Sequence, residues 1–220
     1  MLGLGDLPLP LQAAVAFSIV WTTNLYNFMD GSNGLAGGMA VAGFGAYAIA
    51  AALAGDADLA VGCACVAAAA LGFLRFNFHP ARIFMGDVGS IPLGFLAAAV
   101  GLAGWTSGAW PWWFPAAVFS PFVVDATVTL LRRMLRGERF WQAHRSHYYQ
   151  RLILMGWSHR RTALAEYALM IVVGALALAV REASIAAQAG ALAAMAGGYV
   201  VLAVIVDRRW RVFQCAAVTA

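Results

Sequence analysis

Apolar runs of membrane-crossing length, separated by short polar breaks, constrain this chain more than any single residue does. A helix rises about 1.5 Å per residue and the hydrocarbon core of a bilayer is about 30 Å thick, so about 20 mostly apolar residues make one span. Seven stretches meet that length, roughly residues 9–27, 35–54, 59–76, 90–107, 110–131, 162–180 and 186–206. The first is the weakest, because Gln12, Ser18, Thr22 and Thr23 dilute it. Together they leave no room for a separate soluble domain. The expected architecture is all-α, a polytopic integral membrane helical bundle of about seven transmembrane helices, with residues 1–220 forming one domain. Composition agrees: 63% of residues are hydrophobic, 11% are charged, and mean hydropathy is +0.77, far from the balance of a soluble domain. No basic residue precedes Pro10, which argues against a cleaved signal peptide.

Three polar islands interrupt this pattern: Asn24 to Gly31 (NLYNFMDG), Phe84 to Asp87 (FMGD) and His144 to His147 (HRSH). Each falls where a span ends, and counting spans puts all three on one side. Charge identifies the side. All fourteen basic residues are Arg; thirteen lie on the island face or in the C-terminal tail, and only Arg181 lies opposite. The positive-inside rule therefore places the islands and the C-terminus in the cytoplasm and the N-terminus outside. The net charge of +4 does not indicate nucleic-acid binding, since no stacking platform accompanies the arginines. The cluster Arg132, Arg133, Arg136 and Arg139 reads as a topology determinant, and it also suits anionic membrane lipids. Cys63 and Cys65, two apart in a helical stretch, face different directions and are not placed to pair; Cys215 falls on the reducing side.

Asp30 and Asp87 lead the candidates for chemistry. Each stands beside glycines at a helix end, where a carboxylate can stay ionised and offer oxygen to a metal such as magnesium; each could equally cap a helix. Asn24 and Asn27 share a helical face, so their amides suit a phosphate, a sugar hydroxyl or a nucleotide, or else an interhelical hydrogen bond. His144 and His147, with Arg145 and Arg151 near them, suit a diphosphate better than zinc, because no cysteine is near to complete a zinc site. His79 and His159 read mainly as loop or interface residues. Asp125 lies two helical turns before Arg132, at a depth where a carboxylate must line a cavity or be paired. The turn holding Asp56 and Asp58 reads as solvated. Trp105, Trp110, Trp112 and Trp113 read as an interfacial belt. Within residues 132–161 a short interfacial helix is expected, anchored by Phe140, Trp141, Tyr148 and Tyr149. The last two spans read as scaffold.

Taken together, residues 24–36 (NLYNFMDGSNGLA), 81–90 (ARIFMGDVGS) and 144–152 (HRSHYYQRL) resemble the polyprenyl-phosphate sugar-1-phosphate transferases, glycosyltransferase family 4. That family includes the undecaprenyl-phosphate GlcNAc-1-phosphate transferases and the phospho-MurNAc-pentapeptide translocase, and HRSHYYQRL looks more like the former branch, which serves cell-envelope polysaccharides. The resemblance implies transfer of a sugar 1-phosphate from a UDP-N-acetyl-hexosamine to undecaprenyl phosphate, releasing UMP, with Mg2+ (or Mn2+) at the cytoplasmic face of a bacterial inner membrane. It implies that Asp87 is the metal ligand. Asp30, Asn24, Asn27 and Asn33 would line the nucleotide–diphosphate site, and His144 and His147 would contact phosphate or nucleotide.

Two departures from the family pattern bear on this expectation. Asn33 stands where the family's DGxDG motif has a second acid, retaining a hydrogen-bonding side chain without its charge. The chain also resembles only the C-terminal two thirds of the family domain, without about four early spans and their paired-Asp motif. Either the true start lies upstream, or a second chain or a homo-oligomer supplies the missing helices, or the chain is a catalytically incomplete fragment or assembly partner.

Overall fold

The structure, a computed structural model, describes residues 8–139, 142 and 144–218. These residues are helical almost throughout: α1 (Leu9–Phe28), α2 (Leu35–Leu53), α3 (Ala57–Asn77), α4 (Gly86–Thr106), α5 (Phe114–Val118), α6 (Ser120–Leu135), α7 (Tyr148–Leu154), α8 (His159–Val180) and α9 (Ile185–Val218). Five of them, α2, α3, α4, α8 and α9, are long and apolar enough to cross a membrane. The protein is thus an all-α, polytopic membrane bundle with five candidate spans rather than the seven expected. The two differences have distinct causes. Polar residues dilute α1 along its whole length, although it has 20 residues. The run at 110–131 is not one helix: it breaks at Phe119, with prolines in the first turns of both α5 and α6, where a missing N–H costs nothing. In α6, the residues Asp125, Thr127, Thr129 and Arg132 then replace the apolar stripe of a span.

The core sits around α2, which packs against α3 and α8, while α1 packs against α4. Small residues make the close approaches possible. At Gly38 a Cβ would overlap the Tyr167 ring, and at Gly43 the Phe119 ring. Tyr26, Phe44, Tyr47, Phe119 and Phe122 fill the centre, with most of their ring pairs edge-on or tilted. The tryptophan belt is only half present. Trp105 and Trp112 are exposed, but Trp110 and Trp113 are buried. Trp110 stacks on Tyr47 at 4.7 Å, lies where a Gly104 side chain would be, and donates Nε1 to the Gly101 carbonyl at 2.9 Å. Cys63 is buried and Cys65 exposed, as two positions two apart on a helix must diverge.

Of the four expected interfacial anchors, Phe140 and Trp141 lie outside the described residues. Tyr148 is half-buried, and Tyr149 is fully buried. Tyr149 is therefore a core residue rather than a surface anchor, held by Asp125 at its N–H and by the Phe28 carbonyl at its hydroxyl. The final helix also runs past the expected end at 206, and carries Arg208, Arg209 and Arg211 on its extension.

Candidate functional site

The α1–α2 turn and the α3–α4 loop are joined by side chains rather than by a sheet or helix. Gly34 opens α2 with φ 78°, a left-handed conformation that glycine adopts without cost from a Cβ. Its N–H donates to Asn77 Oδ1 at 2.9 Å, and Asn77 Nδ2 donates to the Ile83 carbonyl at 2.8 Å. One amide thus fastens both loops. Nearby, Asn33 Nδ2 lies 3.2 Å from His79 Nδ1, Ser32 Oγ lies 2.9 Å from His159 Nδ1, and the two imidazoles stack at 6.0 Å. Asp30 crosses to α4, where its Oδ2 accepts the Gly86 N–H at 3.0 Å. One turn along α4, Ser90 Oγ donates to Asn27 Oδ1 at 3.2 Å. Asp87 occupies the first turn of α4 with an exposed side chain, a position the helix dipole favours for an anion.

The third loop closes against the same end. Asp125 is buried in α6, and its two oxygens accept the backbone N–H groups of Tyr148 and Tyr149 at 2.9 and 3.1 Å. It also accepts from Thr129 Oγ1 at 3.1 Å and from His147 Nδ1 at 3.3 Å. With a carboxylate as its partner, His147 Nδ1 carries the proton in this contact. His147 stacks between Phe28 and Tyr149, at 6.4 and 5.9 Å, and the His144 ring is 4.9 Å away. The Tyr149 hydroxyl donates to the Phe28 carbonyl at 3.2 Å, which ties the third loop to the end of α1. Close to that hydroxyl, Gly31 has no room for a Cβ.

Residues 4–104 match the family model described as glycosyl transferase family 4. A probable undecaprenyl-phosphate N-acetylglucosaminyl 1-phosphate transferase of Bacillus subtilis (strain 168) is 34% identical over 167 residues, covering 75% of this chain and 47% of that protein. The chain belongs to glycosyl transferase family 4. Phospho-N-acetylmuramoyl-pentapeptide-transferases of Geobacillus thermodenitrificans (strain NG80-2) and Symbiobacterium thermophilum are also similar, at 33% and 40% identity. These matches cover 80% and 70% of this chain, and 53% and 45% of those proteins. The chain spans about half the length of the curated relatives it matches.

Of the residues that sequence singled out in this family 4 chain, Asp30, Asn27, Asn33, His79, Asp87, His144, His147 and Asp125 lie at the junction of the three loops. Three others stand apart. Asn24 is exposed, and its amide donates back to the Val20 carbonyl at 2.8 Å. Arg145 is exposed. Arg151 is buried, donating Nε to the Ser146 carbonyl at 2.8 Å and Nη1 to Asp207 Oδ1 at 2.9 Å. Its charge is thus committed to a carboxylate rather than held open for phosphate. Asn77, Ser90, Tyr149 and Asp207 were missed. Only Asp207 left a signal in the sequence, as the one acid at the head of an Arg-rich tail.

Electrostatics separates the carboxyls from the imidazoles. Burial pushes the Asp30 carboxyl from its ordinary 3.8 up to about 6; the Gly86 N–H opposes the rise and the Asp87 charge adds to it. His144 moves the other way, lowered to about 4 by burial and by the neighbouring His147 and Arg133. At pH 7 its imidazole is neutral, so it acts as a hydrogen-bonding group rather than as a cation. Among the described residues, no three His, Cys, Asp or Glu side chains are grouped to hold a metal. The Asp30–Asp87 pair with the Asn27 amide still suits Mg2+, which takes one or two carboxylates and completes its shell with water and substrate phosphate. The Asp30 shift gives a test in metal-free detergent solution. The folded chain binds the extra proton between about pH 4 and 6, so that contribution to stability is present below 4 and lost as pH rises through about 6. Melting curves from pH 4.5 to 7 should show this step in the natural chain and lack it in Asp30→Asn. Parallel curves would remove Asp30 as its source.

Proposed function

We propose that this chain is a single transmembrane domain of a sugar-1-phosphate transferase. It moves N-acetylhexosamine 1-phosphate from a UDP-sugar to undecaprenyl phosphate in cell-envelope polysaccharide synthesis. The observation that carries this reading is the meeting of three loops distant in sequence, with Asp30 Oδ2 on the Gly86 N–H and the Tyr149 hydroxyl on the Phe28 carbonyl. A phosphate oxygen of the lipid attacks the sugar-bearing phosphorus of the nucleotide. The bond from that phosphorus to the bridging oxygen breaks, and UMP leaves with that oxygen and its electron pair. Two polyanions must approach each other in this step, so most of the catalytic work is offsetting charge.

The chain's own groups divide this work. Asp30 and Asp87 supply the oxygen ligands for Mg2+, or Mn2+ in its place. When bound, that ion supplies positive charge to the diphosphate oxygens. Asn27 and Asn33 provide amides for nucleotide and sugar, and His79 holds Asn33. His144 and His147 face the phosphates from the third loop, with Asp125 orienting His147. In this reading α1 and the α5–α6 pair bring the membrane crossings to seven. The N-terminus is periplasmic, and the loops and the C-terminus are cytoplasmic in the bacterial inner membrane.

A second reading is a membrane subunit that needs another chain, or another copy of itself, for activity. It is favoured by the lack of a third metal-binding side chain beside Asp30 and Asp87 among the described residues. Radiolabel transfer in membranes supplied with UDP-N-acetylhexosamine, undecaprenyl phosphate and Mg2+ tests both. Labelled lipid should form, should fall about 10- to 100-fold in Asp30→Ala, and should persist in Asp58→Ala at the opposite end of α3. Absence of transfer by the folded chain, with several sugars and with candidate second chains co-expressed, would sink the enzyme reading. Transfer only with a second chain would select the subunit.

A further inference from the structure

The last helix is attached to the bundle in an unusual way. Its most apolar stretch has no fully buried residue, although Leu192 and Met195 pack against the core. Polar contacts add to that packing: Gln188 accepts Trp113 Nε1 at 2.9 Å, Tyr199 meets Ser120 at 2.6 Å, and Asp207 receives two arginines. The last of these lies at the end where the three loops meet. Asp207 Oδ2 takes Arg132 of α6 at 2.7 Å, and Oδ1 takes Arg151 of α7 at 2.9 Å. Both guanidiniums approach the Tyr148 ring, at 5.5 and 5.1 Å from its centre, and the Trp210 ring centre is 5.8 Å from the Arg151 guanidinium. The same Arg151 donates Nε to the Ser146 carbonyl, the residue before His147.

We propose that Asp207 is a positioning residue, which fixes Arg151 so that its guanidinium pins Ser146 and with it the His144–His147 turn. The turn is then held from two sides. Asp125 of α6 takes the amides that open α7, and Asp207 of α9 takes the arginine that grips the turn from behind. A single guanidinium donating in two directions is rigid because its donors form a planar fork, which a lysine would not provide. Removing the carboxylate leaves Arg151 buried beside Arg132 with no anion between them, and both arginines must then swing toward water. The Ser146 contact is lost with them.

This inference rests on the proposed function only for the claim that the turn touches substrate. Hydrogen exchange on the intact chain reads the turn directly, and the affinity for UMP with Mg2+ reads the site. In Asp207→Asn, the amides of residues 146–152 should exchange at least 10-fold faster while those of α2 and α8 do not change, and UMP binding should weaken about 5- to 10-fold. Asp207→Glu should restore both, and Arg132→Gln should leave the turn protected because Arg151 stays paired. If Asp207→Asn does not give a monodisperse protein, Arg151→Gln supplies the same exchange test from the other partner. Unchanged exchange in the folded variants overturns the clamp whatever happens to activity. Unchanged UMP affinity in His144→Ala overturns the substrate reading of the turn, and the exchange result then stands for the clamp alone.

Discussion

Asp87→Asn is expected to lower sugar-phosphate transfer by about 10^3-fold or more while leaving the chain folded. The size follows from what the carboxylate is asked to supply. Charge stabilisation through a bound divalent ion contributes several kcal/mol to a phosphoryl transfer, and about 4 kcal/mol corresponds to a thousandfold in rate. The fold should tolerate the change because the Asp87 side chain is exposed in the first turn of α4, where an amide fits as well as a carboxylate. Two measurements separate this from a general loss of order. Melting of Asp87→Asn should stay within a few degrees of the natural chain, and Mg2+ should no longer raise its melting temperature. If Asp87→Asn keeps a tenth or more of the transfer, the α4 terminus is not where the diphosphate is bound.

The polar islands were legible because spans alternate, and because acids, amides and imidazoles are rare in an apolar chain. Any residue of that kind at a span end stands out before the structure is known. What could not be read was which groups they meet. Asp30 could be recognised as a helix-end carboxylate, but nothing marks its partner as the N–H of Gly86, 56 residues away. The same holds for Arg151, whose neighbours in sequence suggest an open phosphate contact while Asp207, 56 residues on, claims the charge.

Two differences in the fold, the break in the 110–131 run and the half-present tryptophan belt, share an origin. Hydropathy counts apolar residues without regard to direction, so 110–131 reads as one span although prolines restart the helix there. Tryptophans near an outer turn read as an interfacial belt for the same reason. The bare backbone at Gly104, the Gly101 carbonyl and the Tyr47 ring together take Trp110 inward. Tyr149 was misplaced because its burial depends on a buried carboxylate 24 residues earlier.

That carboxylate gives the second large effect. Asp125→Ala should destabilise the chain by about 3–5 kcal/mol, the usual cost of removing one partner from a buried charged group, and reduce transfer well beyond the fraction that unfolds. Four donors converge on Asp125, and the Tyr149 N–H is buried, so removing the carboxylate takes away its acceptor. A stranded buried donor costs about 1–3 kcal/mol, and loss of the His147 contact frees that ring to turn. Asp125→Asn provides the finer test. Its one remaining carbonyl oxygen can serve only one face of the cluster, so it should fall between Ala and the natural residue in stability. A neutral amide oxygen is also a weaker acceptor for His147 Nδ1 than a carboxylate and holds the ring less firmly, so transfer should drop more than stability does. The comparison to make is turnover against melting temperature for Asp125→Asn, Asp125→Ala and Thr129→Val. If loss of turnover simply tracks loss of stability across the three, Asp125 holds α7 in place but has no part in orienting His147.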